Sequence, residues 1–167
     1  NIFHLKQNEN TPKSQMAYMS NPNIETKQVE KEPEVYLYNT HQGETYQGGP
    51  LEGYNITPGV MMASYILQNK LAESNVKSIV MEENLIEYMN LNNMHHAMSY
   101  IASRPFIEKA LNENHNLKLV IDIHRDSISK DKSTVIINNK PCAKILFVIG
   151  EDHSNYEQNL SMTNKIN

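Results

Sequence analysis

The chain has 167 residues, a formal net charge of −4 and a single cysteine, Cys142. That length suits one domain with a real core. The charge offers no basic stripe for nucleic acid, and one cysteine rules out an internal disulfide. No apolar run approaches the roughly 18 residues of a membrane span, and no signal peptide opens the sequence. The first residue is Asn, so the sequence reads as an excised or processed piece of a longer protein.

Residues 1–33 read as a linker or disordered tether, because Asn, Gln, Glu, Lys, Ser and Pro dominate and no hydrophobic period appears. A domain is expected over 34–167. Its first strand is Val35-Tyr36-Leu37-Tyr38, which ends abruptly in Asn39-Thr40-His41-Gln42-Gly43-Glu44. A buried strand followed by polar residues is how a sheet delivers side chains to a site at its C-terminal edge. Gly48, Gly49, Pro50 and Gly53 mark an exposed excursion. Thr57 then reads as a helix N-cap with Pro58 at the first helical position. Val60, Ala63, Leu67 and Leu71, joined by Ile66, give that helix its apolar face to about Glu73.

Val76–Met81 reads as a second strand, parallel to the first. Glu82–Asn93 is mixed in polarity and is expected to cover the site or form an irregular connection. Helix returns from about His95 to Asn114, with Met98, Ile101, Phe106, Ala110 and Leu111 apolar and a kink or fresh start at Pro105. Leu117–Ile123 is a third strand, and it too stops in a histidine, His124. Ser133–Asn138 and Lys144–Ile149 read as two more strands around an Asn138-Asn139-Lys140-Pro141 turn. A last helix begins near Asn155. The alternation implies an α/β domain: three layers, with a mostly parallel twisted sheet flanked by helices and an antiparallel edge from the hairpin.

Two strand ends that each present a histidine, one with a glutamate three residues on, point to a metal. His41, Glu44 and His124 offer two imidazoles and a carboxylate, the donor set of catalytic zinc, which keeps a fourth position open. Glu52, Glu82, Glu83 and Glu87 are chemically equal candidates for the carboxylate; Glu44 is preferred because its spacing fixes its reach. Asp122, two residues before His124 on the same strand face, either holds the far nitrogen of that imidazole or is a solvated edge residue. Arg125 and Arg104 are candidate clamps for a substrate carboxylate, and Arg125 pairing with Asp126 is an equal reading. His95 and His96 read as surface or core-edge residues. His115 and His153 lie in a turn and a loop. Cys142 has no basic neighbour to activate it as a nucleophile.

From Val35 to Ile166 the chain resembles the catalytic domain of the stage II sporulation protein P family, zinc-dependent peptidoglycan hydrolases related to N-acetylmuramoyl-L-alanine amidases. The resemblance rests on Tyr38-Asn39-Thr40-His41 with Glu44, Pro58-Gly59-Val60 and Ser99-Tyr100 with Ser103-Arg104. It continues through Ile121-Asp122-Ile123-His124-Arg125-Asp126-Ser127 and Ile145-Leu146-Phe147-Val148-Ile149-Gly150 with Asn155-Tyr156.

It implies a zinc amidase-like fold and an exported, membrane-tethered enzyme whose anchor lies elsewhere. Such an enzyme acts on the septal wall during sporulation and engulfment, with a transglycosylase and a membrane scaffold as partners. Its activity would be cleavage of the amide between N-acetylmuramic acid and L-alanine, and of peptide cross-links. His41 and His124 match the family's metal histidines. The related amidases carry a catalytic glutamate in a late Leu-Ile-Glu-Ile-Gly strand. No such motif follows Glu157, so that residue is expected beyond Asn167 and no catalytic glutamate is named here. The alternatives are a wall-binding or scaffold module of the same fold without turnover, and a zinc carboxypeptidase, which also uses H-x-x-E and a distant histidine.

Overall fold

The computed structural model describes residues 29–46 and 57–166. The Gly48–Gly53 excursion and residues 1–28 of the expected linker lie outside them. Of the rest of that linker, Val29 and Pro33 are buried. Contacts divide the chain into two units, one ending at Arg125 and one starting at Asp126.

The first unit is built on strand β1 (Val35–Tyr38), flanked on one side by β2 (Ser78–Val80) and on the other by β3 (Leu119–Asp122). Both pairings are parallel, with Leu37 opposite Val80 and Ile121. A central strand buries both its faces, and here they serve different layers. Val35 and Leu37 meet Val80, Leu67 and Leu71, so helix α1 (Val60–Glu73) covers that face. Tyr36 points the opposite way, onto Met81, Leu85, Met89, Ala102 and Ala110. That second face is covered by α2 (Leu85–Leu91) and α3 (Ser99–Glu113), the latter preceded by a 3-10 turn, His96–Met98. The result is an α/β unit with a parallel sheet between helices, as the alternation implies.

Several boundaries differ from the sequence reading. Helix α1 starts at Val60 with Gly59 as N-cap, not at Pro58 after Thr57. Tyr46 N donates to Pro58 O and Val60 N to Glu44 O, so Pro58 and Gly59 are held extended against the loop that follows β1. A Cβ on Gly59 would stand 3.1 Å from Glu44 O, which favours glycine at that crossing. Ile66 is exposed; Val60 and Ser64 carry the buried stripe with Leu67 and Leu71. Glu82–Asn93 is not irregular, since it holds α2. Asn84 caps this helix by accepting from Glu87 N at 3.0 Å, and Asn93 at φ 52° closes it. The closing bonds, Asn93 N to Asn90 O and Met94 N to Met89 O, are a Schellman ending.

Pro105 neither breaks nor restarts its helix, because α3 runs through it. Pro105 and Ile101 both lie on the solvent face, where a carbonyl left without its helical donor can be hydrated. Met98, Ile101 and Leu111 accordingly turn outward, and Ala102, Ser103 and Ala110 make the buried stripe.

The second unit holds a two-stranded hairpin, β4 (Thr134–Ile137) with β5 (Lys140–Ala143), and helix α4 (Tyr156–Ile166). Asn138 and Asn139 have φ of 50° and 61°, which makes the connection a two-residue type I′ turn. The return strand therefore begins at Lys140 rather than Lys144, and the hairpin is a sheet of its own, not an edge of the parallel sheet. Lys144–Ile149 is not a strand. Ile145 and Val148 are 81% and 87% exposed, and no strand among the described residues pairs with the segment. A run rich in Ile, Leu, Phe and Val is competent to pair, but only a partner makes it a strand.

Two core phenols carry a pH signature. Burial, followed by the Asp122 carboxylate, pushes the Tyr38 phenol up to about 12, and burial followed by Glu83 raises Tyr36 further. In the unfolded chain both ionise near 10. The neutral phenols thus favour the fold fully below about pH 10, and that contribution is lost as pH rises through the folded values. Urea midpoints should fall as pH is raised above about 10. Absorbance at the phenolate band should show two tyrosines ionising last, in step with unfolding.

Candidate metal centre

Both histidine-bearing segments leave the same edge of the parallel sheet, because β1 and β3 are adjacent and run the same way. Asn39 ties their ends together. Fully buried, it donates from Nδ2 to Ile123 O at 2.8 Å, and its Oδ1 accepts from Ser64 Oγ of α1 at 2.8 Å. Ile123 N in turn donates to Tyr38 O. The chain then turns tightly, with Glu44 N donating to His41 O at 3.0 Å. Gln42 locks this turn to the start of α2, donating to Glu83 O and accepting from Leu85 N. Glu44 is held at its carboxylate too, since Arg125 N donates to Oε2 at 2.6 Å.

The outcome is a cluster in which His41, Glu44 and His124 each present one ligand atom, all within 4.8 Å of one another. Two imidazoles and a carboxylate at that separation can hold a metal ion, and the donor set suits zinc. Glu82, Glu83 and Glu87 are not in the cluster; Glu52 lies outside the described residues. His124 Nδ1 lies 3.7 Å from Glu44 Oε2, while its Nε2 is 2.9 Å from Asp122 Oδ2. Asp122 is therefore no solvated edge residue. It accepts from Thr40 N at 2.9 Å and from Thr40 Oγ1 as well as facing His124. A carboxylate so satisfied holds an imidazole in one orientation and raises its donor strength.

Three residues at this centre were not read from the sequence as site residues. His96 stacks on His41, ring centroids 4.9 Å apart and planes 15° apart. Tyr100 meets His41 edge-to-face at 5.5 Å and lies 6.2 Å from His124. Ser99 Oγ is 3.3 Å from His41 Nδ1. Their spacing of i, i+3, i+4 is the signal available in the sequence, since it aligns three side chains on one helical face. That signal acquires meaning only once α3 is known to pack beside β1. His95, by contrast, caps the 3-10 turn, its Nδ1 accepting from Ala97 N.

The two arginines are placed differently. Arg125 directly follows His124, and its side chain has no ion pair among the described residues; Arg104 lies on α3 in an exposed pair with Glu108 at 2.7 Å. A cavity of about 370 Å³ opens elsewhere, between β2 and the C-terminal half of α3. It is lined by Tyr36, Gln68, Lys109 and Glu113 among others, and none of the three clustered ligands reaches it. The candidate site is marked by converging side chains, not by that hollow.

The model of the stage II sporulation protein P (SpoIIP) family matches residues 3–167, which takes in the segment read as a linker. Stage II sporulation protein P of Bacillus subtilis (strain 168) is 29% identical over 138 residues. The match covers 79% of this chain and 34% of that protein, so the chain spans about a third of its relative's length. No solved structure matches the chain. Among the described residues no helix is long and apolar enough to cross a membrane. With the family model matching nearly the whole sequence, the chain belongs to the SpoIIP family.

Proposed function

We propose that the chain is part of a zinc-dependent peptidoglycan hydrolase. It cleaves the amide between the lactyl group of N-acetylmuramic acid and L-alanine, and peptide cross-links, during sporulation septal thinning and engulfment. The observation that carries this reading is the His41, Glu44 and His124 cluster at the C-terminal edge of a parallel sheet, in a chain of the SpoIIP family. Zinc held there would act as a Lewis acid toward the amide carbonyl and activate water for its attack.

The chain's own residues do the rest. His41 and His124 supply neutral imidazole donors, and Glu44 supplies charge. Asp122 keeps His124 turned with Nδ1 inward, and Arg125 N keeps the Glu44 carboxylate from swinging away. Arg125 and Arg104 would grip carboxylates of the acidic stem peptide, bidentately where geometry allows. Arg104 would have to leave Glu108, which costs little because both partners are exposed. On this reading the whole enzyme works outside the cytoplasm, tethered at the forespore septum, beside a transglycosylase and a membrane scaffold.

Digestion of purified peptidoglycan with the zinc-loaded full-length protein, in which the expected glutamate would be present, followed by mass analysis, tests the reading. Intact stem peptides with a free L-alanine amine are the expected product. Single amino acids would replace it with a carboxypeptidase. Binding to the wall without any release, in protein shown to hold zinc, would replace it with a binding module.

A further inference from the structure

His41 and His124 are restrained on opposite nitrogens. Asp122 occupies Nε2 of His124, which leaves Nδ1 facing Glu44. At His41 the occupied atom is Nδ1, which meets Ser99 Oγ at 3.3 Å. Ser99 is 2% exposed, and His41 is the hydroxyl's partner in the described structure. As the first residue of α3 that hydroxyl could have served its own helix, but α3 has Met98 at its N-cap with no side-chain cap bond. A buried hydroxyl turned from the helix to an imidazole is committed to that imidazole.

We propose that Ser99 is a positioning residue for the metal centre: it accepts the Nδ1–H of His41 and so leaves the Nε2 lone pair for the ion. The inference rests on the metal site of the preceding subsection. A neutral imidazole has one protonated and one bare nitrogen, and the hydrogen bond made by one decides which is free to ligate. In water imidazole favours the Nε2–H form, the wrong one for ligation through Nε2, so an acceptor at Nδ1 must reverse that preference. Ser99 is placed to do so. His96 and Tyr100, one stacked and one edge-on, restrain the plane of the same ring. The centre therefore uses Nε2 of His41 and Nδ1 of His124, each selected by an oxygen on the far side.

The test reads tautomers in metal-free protein by long-range proton–nitrogen NMR, with histidine labelled in both ring nitrogens, at alkaline pH where imidazole is neutral. Wild-type His41 is expected as the Nδ1–H form. In Ser99→Ala it should shift toward Nε2–H, and the zinc dissociation constant should rise about 10- to 100-fold. Ser99→Thr, which restores a hydroxyl, should recover both. A wild-type His41 in the Nε2–H form overturns the inference even if the alanine variant fails to fold. So does equal zinc affinity in wild type and Ser99→Ala, and that result leaves the hydrolase reading standing. A folded wild-type protein that binds no zinc removes the metal reading itself, and with it the role given to Ser99.

Discussion

Elemental analysis of the purified protein is expected to give about one zinc per chain, and His41→Ala and His124→Ala should each bring that to near zero. The reason is the small donor set. With three protein ligands within 4.8 Å, loss of one leaves two, too few to hold the ion through dialysis. Loss of a supporting partner typically costs about 10- to 100-fold in metal affinity, and loss of a direct ligand must exceed that. Peptidoglycan release should fall to background in both variants. Circular dichroism should stay native, because His124 has 34% of its side chain in solvent and neither imidazole belongs to the apolar clusters. Glu44→Ala isolates the third ligand: retained zinc there would move the carboxylate role to another residue. Retained turnover in His124→Ala would sink the assignment.

Asn39→Ala should cost about 2–4 kcal/mol and loosen the metal centre at the same time. Asn39 is 0% exposed and, beside the Thr40–Asp122 bonds, its side chain joins the end of β1 to the chain just past β3. Truncation leaves Ile123 O without its donor, one residue before His124, and opens a hole beside Ser64. Ser64 retains a bond to Val60 O at 3.2 Å, so the larger penalty falls on the strand end that carries the ligand. The urea midpoint should drop with little change in slope, and zinc should bind more weakly.

Asn39→Asp separates the hydrogen bond from the volume. The introduced carboxylate can accept from Ser64 but faces the Ile123 carbonyl with no proton to give. Burial raises its folded pKa above the unfolded value of about 3.9. Stability of that variant is therefore best at low pH and falls as pH rises past about 4. An unchanged midpoint in either variant would show that the sheet edge holds without this bridge.

Local sequence carried a good deal of this. Four apolar residues stopping at Asn39 announced β1 to the residue, because alternation and burial act over a few positions. The parallel β2 and β3 and the long helices were legible for the same reason, as were His41, Glu44 and His124, each at or just beyond a strand end. What escaped had a different cause in each case. Helix α2 has only seven residues, too few for a period, although Asn84 and Glu87 carried its cap. A kink or fresh start was expected at Pro105, but α3 does not restart there, and it loses nothing buried because the position faces water. Lys144–Ile149 was read as a strand from composition, and strand state is a property of a pair.

The sequence by itself determined the α/β class, the strand ends that bear histidines and the side chains that cluster there, His41, Glu44 and His124, since these depend on short-range patterning and on side-chain chemistry. Only the tertiary structure decided which nitrogen of each imidazole is free, that Asp122 is a partly buried acceptor rather than an edge charge, and that His96, Ser99 and Tyr100 pack at the centre. Those facts arise where α3 packs beside β1, across 58 residues of chain between His41 and Ser99. Spacing within one element predicts a face; what that face meets is set by how the elements pack.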